Sequence, residues 1–386
     1  MDSTRIALIV VMLAAPLGAQ SPGSGADANT PYRQASLPID ERVRDLIGRM
    51  TVEEKARQLD MYAGIPGLVD KSMDKTHAAP DARFRPDSAA KLFGTLGAGS
   101  IHDLYPRAEL ANDIQRWVIG HSRLGIPAIF IEEGLHGYSD GTVFPTPLNL
   151  AATWNPDLAR RTGAAIAAEM RAAGVHMVLG PVLDVAREPR WGRVEEDFGE
   201  DPFLTGQLGL AYVEGVQGDS LASDHNVIAE PKHYVGHGSP ESGLNTSPVH
   251  AGEREVRTIM LKSFEPAIRE GHAMGVMAAY HEIDGIPVAD DPVLLKDVLR
   301  GEWGFRGVLV KFKLEVGVSD ERLLEIAERS RRQSAADLMA ANTLEGAGAW
   351  AFLGPVGGQY QRVSRRELAA RLLGEVERLH EERTRG

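Results

Sequence analysis

Four polar segments, each directly after a short apolar run, carry the residues whose types and spacing could do chemistry. They cover residues 132–136, 184–200, 232–238 and 280–284, and they hold carboxylate, guanidinium, ammonium, imidazole and phenol groups. Polar residues that follow the C-terminal ends of parallel strands line the active face of a barrel. Charged groups at strand ends also form structural ion pairs, so one segment alone leaves both interpretations open. The convergence of all four favours a functional cleft.

Strands must position these segments, and the sequence predicts where the strands lie. The apolar runs are short, bounded by Gly or Pro, and rich in branched or small residues, as in strands buried on both faces. They cover residues 126–131, 175–179, 227–229, 275–279 and 308–310.

Helical segments alternate with these runs. A capping box at Thr51 and Glu54 opens a helix that we expect to continue through Met61. Asn155 followed by proline starts a second helix, to about residue 173, and residues 253–270 form another. Alternating strands and helices predict an α/β fold, a (β/α)8 TIM-like barrel with right-handed crossovers.

Composition excludes several classes of protein and partner. The 386 residues are 43% hydrophobic and 25% charged, which is typical of a globular chain and excludes disorder and a polytopic membrane protein. A formal net charge of -12 repels phosphate backbones, so nucleic acid is not an expected partner. The absence of cysteine excludes disulfides, thiolate nucleophiles and Cys-based metal sites.

The N-terminus resembles an export signal. Residues 6–17 form an apolar run that is too short to span a bilayer, and Gly18-Ala19 provides a small-residue exit. We therefore expect a signal peptide over residues 1–19, a flexible linker over 20–36, and a secreted or periplasmic protein with no membrane span after signal removal. A buried N-terminal helix or an uncleaved anchor is the alternative.

The polar segments also match a known family. EEGLHG, PRWGR, KHYVGHG and AYHEIDG, with the sequence between them from about residue 40 to 310, resemble the N-terminal barrel of family 3 glycoside hydrolases, which include β-glucosidases and β-xylosidases. The resemblance implies a pocket for a β-linked glycoside and no cofactor. It assigns substrate binding to Glu133, Arg193, Lys232, His233 and Tyr280, whose groups can make charge-assisted hydrogen bonds to sugar hydroxyls.

His233 and His237 are four residues apart, a spacing that suits a metal site on a helix. Gly236 and Gly238 disfavour a helix there, and we expect no metal.

The chain departs from the family where the nucleophile is expected. Retaining glycosidases use two carboxyl groups about 5 to 5.5 Å apart. The family places its nucleophilic Asp at the end of the strand over residues 307–312, where this chain has Phe312. Glu315 is the nearest carboxylate, but an offset of three residues points it to the opposite strand face. Many members take the acid/base from a following domain, and we expect the residues up to 386 to leave no room for one. His237 is a weak candidate for this role.

Residues from about 308 to 386 resemble a different family, the C-terminal part of phosphopantothenate–cysteine ligase. FKLE, AAN and SRRELA carry this resemblance, which implies nucleotide contacts for Phe312 and Asn342, yet the glycine-rich half of such a site has no counterpart. We expect residues 37–310 to form the glycosidase-like barrel. Residues 311–386 would form a ligase-like segment that completes it.

That completion would take the form of a foreign βαβα unit. Strands over 308–314 and 337–341, a helix over 320–332 and a last helix opened by Ser364 and Glu367 would fill the seventh and eighth places. The sequence thus favours a β-glucosidase- or β-xylosidase-like hydrolase whose usual Asp is missing. The alternatives are an inactive carbohydrate-binding pseudoenzyme or fusion product and, far behind, a nucleotide-binding module.

Overall fold

The computed structural model describes two long stretches, residues 30–139 and 141–310, and parts of the chain beyond them. Past residue 310 the described parts are 319–321, 323–325, 328, 339–341, 350–356, 359–364, 367, 371 and 378. The expected signal peptide, Phe312, Glu315 and Asn342 lie outside the described residues.

Twelve short strands occur in the described residues. In chain order they are β1 Met61–Ala63, β2 Ser100–His102, β3 Ile129–Glu132, β4 Met177–Val178, β5 Ile228–Ala229, β6 Gly275–Met277, β7 Glu282–Ile283, β8 Ile286–Pro287, β9 Val308–Val310, β10 Met339–Ala341, β11 Trp350–Val356 and β12 Gln359–Ser364.

Seven of these strands run parallel to their neighbours. β1 to β5 form one sheet in sequence order, and β9 pairs in parallel with β6, with Gly275 opposite Val308. A bridge between Tyr234 and Ala278 continues the parallel order from the β5 segment to β6. Side chains from β1, β3, β4, β5, β6 and β9 meet in one apolar cluster that includes Met61, Ile131, Met177, Ile228, Met277 and Val310. The array is therefore of the α/β type, with a parallel order of strands.

Helices separate the parallel strands. The α-helices are α1 Ile39–Arg49, α2 Val52–Arg57, α3 Pro86–Phe93, α4 Ala108–His121, α5 Pro147–Ala151, α6 Pro156–Ala172, α7 Pro202–Gln217, α8 Glu253–Glu255 and α9 Glu265–Arg269. Short 3-10 segments lie at Pro31–Arg33, Val194–Glu196, Glu241–Gly243, Leu261–Ser263 and Val288–Asp290, and π-helical segments at Val256–Met260 and Val293–Glu302.

Side chains at the helix starts explain where several helices begin. Thr51 and Glu54 form the expected capping box, and Asn155 accepts from the backbone N–H of Asp157 at 3.0 Å. Asp201 caps α7 by accepting from Leu204 N at 2.8 Å. α6 and α7 then pack on the outer face of the sheet, where the largest apolar cluster forms.

Two expectations about the first half of the chain are corrected. The helix expected through Met61 ends at Arg57, because Met61 pairs with Ser100 of β2 and the chain becomes extended. The linker expected to reach residue 36 is shorter. Tyr32 lies in a 3-10 turn, is buried, and donates from its hydroxyl to Leu124 O at 2.7 Å.

The helix expected over residues 253–270 is not uniform. It passes from α8 through π and 3-10 turns into α9, and Pro266, which lacks an N–H donor, stands at its last part.

The C-terminal segment differs from the expected βαβα unit. β9 takes the place next to β6, as a seventh parallel strand, and β10 coincides with the expected strand over 337–341. β10, however, pairs antiparallel with β11, and β11 pairs antiparallel with β12. The expectation that this unit supplies only parallel strands is wrong, because the two strands after residue 349 form a hairpin, whose short connection permits only antiparallel pairing.

Candidate active site

The five expected sugar-binding residues lie at the C-terminal ends of neighbouring parallel strands. Glu133 directly follows β3, and Lys232 and His233 lie three and four residues after β5. Tyr280 follows β6, and Arg193 lies in the long segment after β4. Parallel strands present these ends at one edge, so residues far apart in sequence come together.

Lys232 and Glu133 form an ion pair across this edge. Lys232 Nζ donates to both Glu133 carboxylate oxygens, at 2.6 and 2.7 Å. The lysine side chain is 2% exposed, whereas the Glu133 side chain is 44% exposed. The ammonium therefore depends on this carboxylate, while the carboxylate keeps an open side on which it can accept from a ligand.

Arg193 joins the other side chains of the cleft. Its guanidinium makes two hydrogen bonds of 2.8 Å to Glu196. It also lies 3.0 Å from His233 Nε2 and 3.3 Å from His237 Nε2. Because arginine can only donate, both imidazoles accept through Nε2.

The tautomer of His233 follows from these contacts. With Nε2 accepting, Nδ1 carries the proton and donates to Asp184 Oδ2 at 2.8 Å. Asp184 also accepts from the backbone N–H of His233 at 3.2 Å. Both side chains are buried, and burial, reinforced by the positive charges of Lys232 and Arg193, holds the pKa of His233 well below its usual range.

His237 is enclosed by the same cluster. Its Nδ1 lies 3.2 Å from His281 Nδ1, its ring packs against Trp191, and none of it is exposed. Burial lowers its pKa far below the usual value. Both ring nitrogens are engaged inside the protein, which argues against His237, the weak candidate from the sequence, as acid/base.

Tyr280 covers this cluster on the solvent side. Its ring centroid lies 5.5 Å from those of His233 and His237, and the residue is 40% exposed. The structure thus brings Glu133, Lys232, His233, Arg193 and Tyr280 to one place. The fates of Phe312 and Glu315 stay open because both lie outside the described residues.

Three acidic groups at this edge have no role assigned from the sequence, although Glu132 and Asp184 lie in the predicted polar segments 132–136 and 184–200. Glu230 is fully buried below Lys232, where Gly275 leaves it room, since a Cβ on that glycine would lie 3.1 Å from Glu230 Cβ. Burial raises the pKa of Glu230 well above its usual value, with Lys232 opposing. Asp184 orients His233, and Glu132 accepts from the backbone N–H groups of Leu104 and Tyr105 at 3.0 and 2.9 Å. The position of all three residues after predicted strands is the sequence signal that could have indicated their roles.

In the described part of the chain, no group of three or more His, Cys, Asp or Glu is placed to hold a metal ion. Helices long and apolar enough to cross a membrane are likewise missing from those residues.

Comparison with known proteins identifies the family. The profile described as the glycosyl hydrolase family 3 N terminal domain matches residues 51–338. The chain belongs to glycosyl hydrolase family 3. The matched region runs beyond residue 310, where the resemblance was expected to stop.

Relatives of this family 3 chain are glycosidases by name. A putative beta-xylosidase of Formosa agariphila is 34% identical over 293 residues, which cover 72% of this chain and 37% of that protein. A periplasmic beta-glucosidase of Salmonella typhimurium is 34% identical over 271 residues, 70% of this chain and 33% of that protein. The chain thus spans about a third of the length of these relatives.

Solved structures agree with the family assignment. A β-glucosidase from Erythrobacter marinus matches with a TM-score of 0.67 at 32% identity, over 81% of this chain and 42% of that one. The β-glucosidase of Listeria innocua in complex with glucose matches with a TM-score of 0.61 at 33% identity, over 77% and 41%.

Proposed function

We propose that this family 3 chain binds the terminal sugar of a β-linked glucoside or xyloside in the cleft formed by Glu133, Arg193, Lys232, His233 and Tyr280. The ion pair between the buried Lys232 and the partly exposed Glu133 is the observation that carries this proposal. It places a donor and an acceptor side by side at the cleft, and neighbouring sugar hydroxyls need both. The names of the relatives support the substrate class.

Hydrolysis of the glycosidic bond would use the family's two-carboxyl chemistry, and the sequence places Phe312 where the attacking Asp is expected. Phenylalanine cannot form a glycosyl ester. The second candidate is therefore an inactive carbohydrate-binding pseudoenzyme or fusion product that retains the sugar pocket. The Phe312 position favours that candidate.

Two further parts of the proposal concern architecture and location. Closure of the seven parallel strands into a TIM-like barrel is proposed from the apolar cluster that six of them share. The ligase-like origin of residues 311–386 stays a prediction. Export is proposed from the signal-like residues 1–19, and the periplasmic name of one relative supports it.

Two measurements test the proposed function. Calorimetry with glucose and xylose should detect binding, and Lys232→Met should abolish it. Turnover of an aryl β-glucoside by the unaltered chain would favour the hydrolase. Binding without turnover would favour the pseudoenzyme, and Phe312→Asp should then bring turnover if the proton donor is present. If the protein binds neither glucose nor xylose, both the hydrolase and the pseudoenzyme proposals are overturned.

A further inference from the structure

The guanidinium of Arg193 has five N–H donors, and its contacts account for four of them. Nε and one Nη2 hydrogen reach Glu196, the other Nη2 hydrogen reaches His233 Nε2, and one Nη1 hydrogen reaches His237 Nε2. One Nη1 hydrogen remains on a side chain that is 22% exposed. The orientation of this donor depends on the acceptors that hold the other four.

The acceptor at His237 is maintained by a second histidine. Because His237 Nε2 accepts from Arg193, its Nδ1 must carry the proton and donate to His281 Nδ1, 3.2 Å away. The planes of the two rings are inclined by only 16° and their centroids are 5.3 Å apart, the arrangement of an in-plane hydrogen bond between the Nδ1 atoms. His281 therefore accepts at Nδ1 and must itself be neutral.

His281 lies in a buried position behind the cleft. It is 3% exposed, and its backbone carbonyl accepts from Val288 N at 3.0 Å. It directly follows Tyr280, so one short segment after β6 carries a cleft residue and the histidine behind the cleft.

We propose that His281 and His237 form a positioning pair for Arg193. The pair presents a neutral imidazole acceptor to Nη1, so that the remaining Nη1 hydrogen faces a sugar hydroxyl in the cleft. The inference rests on the proposed function and adds two positioning residues to it. Neither histidine contacts the sugar in this scheme.

Protonation of the pair would break the arrangement. The charged or titratable groups around it are Asp184, Arg193, His233 and Tyr280. A proton on His281 removes the acceptor for His237 Nδ1, and a proton on His237 Nε2 would meet the cationic guanidinium. Burial lowers the pKa of His281 to about 4, with Asp184 opposing, so sugar affinity should hold at neutral pH and fall below about pH 4.

The test compares two substitutions at one position by calorimetry with glucose. In His281→Asn, the amide oxygen can occupy the place of Nδ1 and accept from His237, and affinity should stay within about threefold of the unaltered protein. His281→Leu removes the acceptor, and the Kd for glucose should rise about tenfold, the loss expected for one hydrogen bond to a charged group. His176→Leu is the matched control. His176 is a largely buried histidine that accepts from Phe130 N at 3.0 Å, outside this cluster, and its loss should leave the Kd unchanged.

A second measurement uses the unaltered protein and needs no sugar. Long-range proton–nitrogen NMR of the imidazoles should show His233 and His237 protonated at Nδ1, with the His237 assignment made by its loss in His237→Asn. A His237 proton on Nε2 overturns the inference, as does an unchanged glucose Kd in His281→Leu when the unaltered protein binds glucose. If the unaltered protein does not bind glucose, the proposed function fails. The tautomers then still show whether the hydrogen bonds from Arg193 through His237 to His281 exist.

Discussion

The strand ends around β3 to β6 differ from the C-terminal sheet of β10 to β12 in the environment of their charged side chains. At the first, charged groups are buried and bond to partners distant in sequence, as Lys232 does with Glu133, 99 residues away. In the second, charged groups lie at the surface: Arg362 is 53% exposed and covers the ring of Trp350 at 4.0 Å.

The difference indicates what each region contributes. The contacts described for the cleft edge lie between residues 104 and 281, and they depend on parallel strands to bring distant segments together. The described contacts of the C-terminal sheet link residues 319–364 to one another, such as Tyr360 with Glu328 at 3.0 Å. We infer that the cleft can be altered without changing the C-terminal sheet, and the reverse, which the following predictions address.

The largest effect should come from breaking the ion pair at its exposed end. Glu133→Gln leaves the buried ammonium of Lys232 without its carboxylate, and we expect a loss of about 3–5 kcal/mol in the free energy of unfolding together with loss of glucose binding. Lys232→Met is the comparison, because it leaves behind Glu133, whose exposed side water can solvate. Urea unfolding should show the smaller loss for Lys232→Met. Equal losses of unfolding free energy in the two variants would mean that the burial of the residue left unpaired does not determine the size of the loss.

A core substitution in the C-terminal sheet should affect stability alone. Leu353 lies in β11 and is 1% exposed, so Leu353→Ala should cost about 2–5 kcal/mol in the unfolding of this sheet by leaving a cavity. Glucose affinity, measured by calorimetry below the unfolding transition, should not change. A reduced affinity would show that the two regions are coupled.

The pH dependence of stability offers a third comparison, within the cleft edge. Burial raises the pKa of Glu132 from 4.5 to about 8, so the folded protein holds this proton more tightly than the unfolded chain. Its contribution is present below about pH 4.5 and is lost as the pH rises to about 8.

Glu132→Gln removes that dependence with little change in shape. Both backbone donors to Glu132 reach the same oxygen, Oε1, which the amide carbonyl can replace. We expect nearly unchanged stability at pH 5 and a gain of up to about 5 kcal/mol above pH 8, because one pKa unit corresponds to about 1.4 kcal/mol. Urea midpoints across pH 5 to 9 measure this. Some slope should remain, since burial also raises the pKa of Asp197 to about 8. If Glu132→Gln keeps the pH dependence of stability of the unaltered protein, Glu132 is ionised in the folded protein across this pH range.

How well the sequence predicts a helix or strand depends on how many residues carry its pattern. α6 begins at its asparagine cap and ends within one residue of the prediction, because cap, proline and periodicity agree. β1 and β2 were missed, since three residues each carry no pattern of their own and pairing with neighbours creates them. The hairpin of β11 and β12 was not predicted either, because the expected strand–helix order assigned no strand between residue 341 and the helix expected from Ser364.

The candidate site likewise has residues that motifs predict and residues whose roles only the structure shows. Motifs identified the side chains that face the cleft. Asp184 and His281 lie in the predicted polar segments as well, but their roles behind the cleft are shown only by the distances to His233 and His237. A hydrogen bond between residues 44 or 49 apart depends on the exact approach of two loops, which no local pattern records.

The smallest effect is expected at the surface of the C-terminal sheet, and it sharpens the contrast with the cleft. Arg362→Ala removes the guanidinium that covers Trp350 and lies 3.6 Å from Asp320. Exposed cation–π contacts contribute about 0.5–1 kcal/mol and exposed ion pairs little more, so the unfolding free energy should fall by about 1 kcal/mol. Arg362→Lys, measured alongside by urea unfolding, keeps the charge and should recover part of the loss. A loss as large as that of Glu133→Gln would mean that a charge at this surface is as costly to remove as one in the cleft, and the contrast between the two regions would then fail.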